Sequence, residues 1–345
     1  MVSMKDIAAA CNVSVASVSK ALNDHDDISK ETKDMIKRVA REMGYLPNAQ
    51  ARALKTSRTN NIGVLYVDEE QSGLTHDYFS RVLDTFKRSI EANGYDLTFI
   101  NGNRHGRKGM TLLEYCKYRG FDGVMIACVD FTDPEVIELV NSEIPIVTID
   151  HTIDNGIAVM SDNVQGMKQL VSYVYSCGHR KIGYIHGSDS GVTRRRVSSF
   201  YKTVEELGME VKDEWVKEIT YRDAAGAGKM TKEILDQKDH PTCILYADDF
   251  SCFGGMATIR EFGLKIPEDI SVAGYDGMVL GRYLTPKLTT VRQDTHRMGY
   301  EAGKKMISLI ERPKSTLKEP VLIGTSLYEG GTIGKIESFD PIIEF

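Results

Sequence analysis

The stretch Asn12-Val13-Ser14-Val15-Ala16-Ser17-Val18-Ser19-Lys20-Ala21-Leu22-Asn23 decides how the first part of the chain is read. Asn12-Val13-Ser14 is a short break, and Ser14 is a residue whose hydroxyl accepts from the free N–H groups at a helix start. From Val15 to Leu22 the apolar residues Val18, Ala21 and Leu22 fall on one face of a helix, while Val15, Ala16, Ser17, Ser19 and Lys20 fall on the other. Upstream, Ser3 is placed to cap a helix with Asp6 three residues on, and Ile7, Ala8 and Cys11 make its inner stripe. Downstream, Ser29 caps a third helix with the stripe Ile36, Val39, Ala40 and Met43, and Gly44 is its natural stop.

Three short helices with a tight turn between the first two form the helix-turn-helix plan, whose second helix enters the major groove of DNA. The small outward residues of Val15–Leu22 let a backbone approach base edges, and Lys20 is the one long donor among them. The same pattern fits any small helical bundle. Charge adds a modest second indication. Residues 1–60 hold ten Lys/Arg against seven Asp/Glu, in a chain whose net charge is −6. A basic head on an acidic body suits a polyanion held by the head alone.

The run from Met4-Lys5-Asp6-Ile7-Ala8 through Asn23, together with Gly44-Tyr45-Leu46-Pro47-Asn48-Ala49-Gln50-Ala51-Arg52-Ala53-Leu54, resembles the N-terminal signature of the LacI/GalR repressor family. The resemblance extends over the whole chain. It implies that Val15, Ala16 and Lys20 read bases and that Ser3, Ser14, Ser19, Asn23, Ser29 and Thr32 contact phosphates. Many members carry Arg where Lys20 stands. Lys is a point charge without Arg's two-pronged fit to guanine, which leaves the preferred base at that step open.

Asn48 can cap a segment reaching Lys55, in which Ala49, Ala51 and Ala53 favour a helix. So short a helix does not stand alone in water. In the resembling family this hinge orders on DNA, pairs with its twin and wedges a Leu into the minor groove. Leu54 holds that place, with Asn48 and Ala51 beside it, and an inserted side chain unstacks and bends the duplex.

From Ile62 onward, short apolar runs alternate with amphipathic stretches. The strand-like runs are Ile62–Val67, Asp96–Ile100, Gly123–Cys128, Pro145–Ile149, Lys181–His186, Cys243–Ala247 and Ile270–Gly274, with helical patterns such as Tyr78–Asn93, Asn163–Cys177 and Phe250–Phe262 between them. This is an α/β pattern of parallel, doubly wound sheets covered by helices on both faces, with an all-α head in front. The expected organisation is a head at 1–46, a hinge and linker at 47–61, and a sensor at 62–345. Within the sensor, lobe one takes about 62–161 and 293–325, and lobe two about 162–292 and 326–345. Two such sheets bind ligands in the cleft at their carboxyl ends. The arrangement resembles the periplasmic sugar-binding fold that the family uses to sense a small effector. By that resemblance Arg196 and Asp276 are the regular effector contacts, Tyr78 and Phe79 the aromatic entry, and Tyr221 a stacking ring. Asp150 closes the fourth strand, and Asp248 stands where many members have Asn. The ordinary alternative for each acid is a helix N-cap after a strand, and for Asp249 that is the reading adopted. Arg194-Arg195-Arg196 either favours an acidic or phosphorylated sugar or is partly just solvated.

Other classes find little support. Gly226-Ala227-Gly228-Lys229 lacks the spacing of a phosphate loop, and Met230 stands where Ser or Thr is needed. No Gly-x-Ser-x-Gly elbow occurs, and the eight His and six Cys show no metal spacing, so no catalytic residue, metal or cofactor is expected. No apolar run reaches the roughly 20 residues of a membrane span, and no signal-peptide core follows Met1, which points to a cytoplasmic protein. One helix-turn-helix reads few base pairs, so a homodimer on a pseudo-palindromic operator is expected. The tail Gly334–Phe345 has no heptads to build a tetramer. The rival readings are a metabolite-binding protein and an α/β enzyme, neither with a role on DNA.

Overall fold

The computed structural model describes residues 2–46, 58–67, 73–101 and 109–336; the hinge positions Asn48, Ala51 and Leu54 lie outside them. The chain divides into two compact units, Met1–Thr59 and Asn60–Phe345.

The first unit holds α1 (Met4–Cys11), α2 (Val15–Leu22) and α3 (Lys30–Glu42). Each begins where a hydroxyl takes an orphan N–H: Ser3 from Asp6, Ser14 from Ser17 and Ser29 from Thr32, at 3.4, 3.0 and 3.3 Å. At α1 the Asp6 carboxylate returns a bond to the Ser3 N–H at 2.8 Å, completing a capping box. Such caps contribute about 1 kcal/mol each. Asn12, left-handed at φ 52°, turns the chain from α1 into α2. Ile7, Val18, Ala21 and Ile36 are fully buried at the centre, and Ala8 and Ala40 close the gap between helices. Leu22, Val39 and Met43 pack against this core but remain half-buried.

The second unit contains two six-stranded sheets. Sheet one is built from β1 (Asn61–Tyr66), β2 (Asp96–Phe99), β3 (Gly123–Ala127), β4 (Ile146–Ile149), β5 (Ile157–Ser161) and β11 (Val321–Ile323), in the order β11-β5-β4-β3-β1-β2 and parallel throughout. Sheet two is built from β6 (Ile182–Gly187), β7 (Val216–Ile219), β8 (Cys243–Tyr246), β9 (Ser271–Asp276), β10 (Thr289–Gln293) and β12 (Thr325–Tyr328), in the order β12-β10-β9-β8-β6-β7, with only β12 antiparallel. The inner strands are near-continuous apolar runs because both faces are covered. On sheet one, α4 (Asp77–Glu91) and α11 (Thr295–Glu311) cover one face, and α5 (Leu112–Arg119) and α6 (Pro134–Val140) the other. On sheet two, α7 (Asn163–Ser176) and α8 (Gly191–Glu206) lie opposite α9 (Ala224–Leu235) and α10 (Asp249–Glu261).

The doubly wound α/β expectation therefore holds, but the sequence reading found about seven strands where twelve form among the described residues. The shortfall has physical causes. β7 is an edge strand in which Glu218 is exposed and Val216 and Lys217 are only half-buried, β10 buries Thr289 and Thr290 instead of aliphatic residues, and β11 spans only three residues. The chain passes between sheets three times, at Asp162, Asp294 and Gly324. Asp162 and Asp294 each cap the helix that follows, so two of the three crossings are tied to a helix start. Gly226-Ala227-Gly228-Lys229 lies inside α9, capped by Asp223, and not in a phosphate-binding loop.

Candidate functional site

In the head, the outer face of α2 is the candidate nucleic-acid interface. Val15 is 42 % exposed, Ala16 and Lys20 are exposed, and Ser19 is half-buried. Short apolar side chains at such positions suit contact with a thymine methyl, and a Lys suits an acceptor on a base edge or a phosphate. Ser3, Ser14, Asn23 and Ser29 are exposed around this face and Thr32 is half-buried. Their polar atoms already serve the fold. Asn23 Nδ2 donates to the Ser19 carbonyl at 2.7 Å, and the Ser29 and Thr32 hydroxyls share a bond at 2.9 Å. Lys20 is paired with Asp27, whose carboxyl is held below its usual range by that bond.

In the second unit, the carboxyl ends of the strands converge on a cleft between the sheets. Strand ends need a sharp change of direction, and Asp150 and Asp276 make it at φ 59° and 105°. Positive φ in a non-Gly residue is uncommon and collects at functional sites. On the lobe-one side, the Tyr78 hydroxyl donates to Asp150 Oδ2 at 2.5 Å and also lies 3.1 Å from Met298 Sδ. Asp150 Oδ1 takes the Ser161 N–H at 3.2 Å. Phe79 stands edge-on to Tyr78 at 4.9 Å and tilts against Tyr66 at 5.6 Å. Burial pushes the Asp150 carboxyl up, against the opposing pull of its Tyr78 and Ser161 bonds, and pushes the Tyr78 hydroxyl well up.

On the lobe-two side the centre is Arg196, 3 % exposed. Its Nε donates to Asn163 Oδ1 at 2.7 Å and its Nη1 to the Ala247 carbonyl at 3.0 Å. Its plane stacks over Tyr275 with Cζ 3.6 Å from the ring centroid, leaving Nη2 3.9 Å from Asp276 Oδ1. Asp276 also accepts from Gln293 Nε2 at 2.6 Å. Burial drives Asp276 up to about 7 although Arg196 pulls the other way. Tyr221 reaches Thr193 through a 2.8 Å hydroxyl contact and lies so close over Gly187 that a Cβ there would stand 2.2 Å from its ring. Asp248, at 2 % exposure, caps α10: it accepts from the Ser251 N–H and hydroxyl and from the Arg222 N–H at 2.8, 2.9 and 2.8 Å. The cap reading given to Asp249 is thus corrected. Asp249 is fully buried and accepts from the Thr290 hydroxyl and the Met278 N–H, both at 2.6 Å.

Tyr78 and Asp276 also line a cavity of about 420 Å³ beside the crossings, together with Gln293 and Thr325. Gln293 Oε1 and Thr325 Oγ1, whose residues line this cavity, and Tyr275 Oη, which abuts Gly166 of α7, are buried without a hydrogen-bond partner among the described residues. Buried polar atoms are normally paired, so the two on the cavity wall are places for a ligand or water. A larger groove between α9 and α10, lined by Ala224, Gly228 and Gly254, is set away from this polar cluster and consists mostly of small residues. Tyr275 was singled out with Asp276 as a strand-end residue, whereas sequence reasoning missed Asn163 and Gln293; Gln293 ends a strand as Asp276 does, and that position was its only signal. Among the described residues no group of His, Cys, Asp and Glu could hold a metal, and no helix is long and apolar enough to cross a membrane.

Residues 3–48 match the family described as bacterial regulatory proteins, lacI family, and residues 171–333 match the periplasmic binding protein-like domain. The HTH-type transcriptional repressor PurR of Serratia proteamaculans is 31% identical over 316 residues, covering 90% of this chain and 91% of that protein. The chain belongs to the LacI family. The PurR repressor of Pectobacterium carotovorum is similar at 30% identity, over 90% of this chain and 91% of its own length. Among solved structures, a lac repressor dimer bound to operator and the anti-inducer ONPF superposes with a TM-score of 0.82 at 23% identity, over 96% of this chain and 99% of that one. A complex of the regulator CelR with cellobiose superposes at 0.72 and 22%, over 96% and 100%. A further relative from Enterococcus faecium, with bound ribose, superposes at 0.68 and 21%, over 80% and 100%. This LacI-family chain thus joins a DNA-binding head to a sensor of the periplasmic-binding-protein type.

Proposed function

We propose that this protein is a cytoplasmic repressor that binds a pseudo-palindromic operator as a homodimer and responds to a sugar-like effector held between its two sensor lobes. The observation that carries the reading is Arg196. It is a buried guanidinium from lobe two whose Nε and Nη1 are hydrogen-bonded, with Nη2 left toward Asp276 and with the Tyr78–Asp150 pair on the facing lobe. Carboxylates that tolerate neutrality, and tyrosines around them, suit paired bonds to neighbouring hydroxyls. The cellobiose and ribose of two solved relatives are ligands of that kind. Val15, Ala16 and Lys20 read bases, the hydroxyl and amide side chains around them contact phosphates, and Asn48, Ala51 and Leu54 belong to a hinge that joins sensor to head. A change in lobe angle would set the separation of two such hinges. Shifting that equilibrium from 1:99 to 99:1 takes about 5.5 kcal/mol of preference, which two sites per dimer share. Fluorescence anisotropy on a selected operator, with a saccharide panel, tests the reading. Operator affinity should change with a saccharide in the wild type and not in Asp276→Asn. Equal operator affinity with and without every saccharide, or binding by a monomer to a non-symmetric site, would refute it.

A further inference from the structure

The cavity of about 420 Å³ beside the crossings carries charged groups that the Arg196 floor does not use. Lobe one lends it the opening turns of two long helices, with Asp77, Tyr78 and Arg81 from α4 and Thr295 from α11. Lobe two lends it Asp276 at the end of β9, Arg282 from the turn that follows, and Arg292 and Gln293 at the end of β10. The carboxylates on this wall are occupied. Asp77 takes two bonds from Arg81 at 3.2 and 3.0 Å, Asp294 takes the Arg297 N–H at 2.9 Å as the cap of α11, and Asp276 takes Gln293 Nε2 at 2.6 Å. The arginines of lobe two are not. Among the described residues neither Arg282 nor Arg292 has a side-chain hydrogen bond or an ion pair, and Arg282 only leans over the Tyr328 ring, 5.5 Å from its centroid.

The same wall holds an acceptor without a donor. Gln293 is 8 % exposed, its Nε2 is spent on Asp276, and its Oε1 accepts from no described residue. A dry acceptor is a place for a donor. The cavity therefore asks for two things at once. Two guanidinium groups call for anionic oxygens, and the N-termini of α4 and α11 add to that pull. Gln293 Oε1 calls for a proton beside them. A bare carboxylate or a sulfate supplies only the first. We propose that the cavity at the crossings receives an anionic group of the effector that also donates a hydrogen bond, namely a phosphate monoester or a carboxylate with a neighbouring hydroxyl. A volume of about 420 Å³ is that of a small-ligand pocket. Because its wall comes from both lobes, an anion held there ties the lobe angle to its own binding. This deepens, and rests on, the reading that the effector lies between the lobes.

Calorimetry on the full chain at neutral pH tests this with inorganic phosphate and lactate, set against sulfate and acetate, their counterparts with no proton to donate. Phosphate or lactate should bind saturably, at least about fivefold tighter than its counterpart, which is the least that an unpaired buried acceptor costs. Which of the two binds tells a phosphate ester from a hydroxy acid. Arg282→Gln together with Arg292→Gln should weaken that binding at least about tenfold. Arg260→Gln together with Arg312→Gln, exposed positions outside the cavity, removes the same charge and should change it less than about twofold. No saturable binding of either anion, sulfate or acetate binding as tightly as its counterpart, or binding that survives the loss of Arg282 and Arg292 overturns the proposal. The comparison with sulfate and acetate uses the wild type, so it decides even where a variant fails to fold. The two readings fail differently. A neutral saccharide that alters operator affinity while neither anion binds refutes the anion site alone. Phosphate or lactate bound as expected, with operator affinity indifferent to both and to every saccharide, refutes the sensor reading alone.

Discussion

Arg196 lies flat on Tyr275 at 3.6 Å while its Nε reaches Asn163 at 2.7 Å, so one side chain joins α8, α7 and the end of β9. This makes Arg196 part of the lobe's framework as well as a candidate ligand contact. Arg196→Ala would leave Asn163 Oδ1 and the Ala247 carbonyl without their donor and open a cavity. Leaving a buried acceptor of this kind unsatisfied costs about 1–3 kcal/mol each. Arg196→Lys keeps the charge but cannot both stack on the ring and fork between two acceptors. Chemical denaturation followed through Trp215, which is buried in lobe two, should show a lower midpoint for both variants. An unchanged midpoint in Arg196→Ala would mean that these bonds contribute nothing to the fold.

Asp276 supplies a pH dependence whose sign is fixed by its direction of shift. Its folded pKa, about 7, lies above the ordinary aspartate value of 3.8, so between those values the folded state holds a proton that the unfolded chain has released. Stability therefore falls as pH rises from about 4 to 7 and levels off above. Asp150 and Asp249 are shifted in the same direction by burial and add to the slope. Asp276→Asn should make the sensor more stable at pH 7 relative to the wild type, by about 1–4 kcal/mol, and the gain should vanish near pH 4. Melting curves across this range are the measurement. A gain that is the same at pH 4 and pH 7 would show that Asp276 titrates normally.

The legible part of this molecule is where chemistry and periodicity coincide. Ser3, Ser14 and Ser29 were readable as caps because a hydroxyl ahead of an apolar stripe has few other uses, and all three cap. Asp150 was found from its place after the fourth strand and Tyr78, Arg196 and Asp276 by resemblance, and the structure brings them to one cleft. Asp248 and Asp249 show the limit. Two adjacent acids after a strand differ by one residue in which side chain closes the helix turn, and only the burial of Thr290 and the position of the Met278 N–H make Asp249 the inward one. Asn163, Gln293 and the His151–Phe131 stack were illegible because each depends on a partner far away in sequence. Lys20 was read as the one long donor of its face. Its pairing with Asp27 depends on the turn between α2 and α3, which carries no periodic signal.

Gly299 sets two ordinary effects against each other. In a helix interior, Gly→Ala normally gains about 0.5–1 kcal/mol. Here a Cβ would stand 2.3 Å from the Val82 carbonyl oxygen and 2.8 Å from the Phe86 nitrogen, both backbone atoms of α4. Backbone cannot swing aside, so α11 must move away from α4, and overpacking of this kind costs about 1–3 kcal/mol. Gly299→Ala should therefore destabilise the sensor. Met298, the neighbouring residue, would be drawn from Tyr78 and Ser161, which it touches at 3.1 and 3.2 Å. Denaturation midpoints decide the sign, and a stabilised variant would mean that α4 and α11 separate freely.

The pairing of Lys20 with Asp27 gives a prediction about DNA that does not require the operator to be known beforehand. Both side chains are about half exposed, at 48% and 53%. An exposed ion pair contributes about 0–1 kcal/mol, so DNA can displace Asp27 from Lys20 at little cost. Asp27→Asn removes the competitor and one charge that repels phosphate. Operator affinity should rise, by up to about fivefold at moderate salt. Lys20→Ala should lower affinity by about 1–3 kcal/mol if Lys20 reads a base, and relax selectivity at one step per half-site. If Lys20 touches phosphate alone, affinity falls about equally on all sequences. The double variant separates the two contributions of Asp27. Whatever gain survives in the Lys20→Ala background is repulsion relieved from phosphate, and whatever disappears is release of Lys20. Binding-site selection with each variant, followed by anisotropy on the selected sites, measures both. A gain of the same size in both backgrounds would mean that Asp27 never competes for Lys20, and a selected motif unchanged in Lys20→Ala would remove Lys20 from base reading.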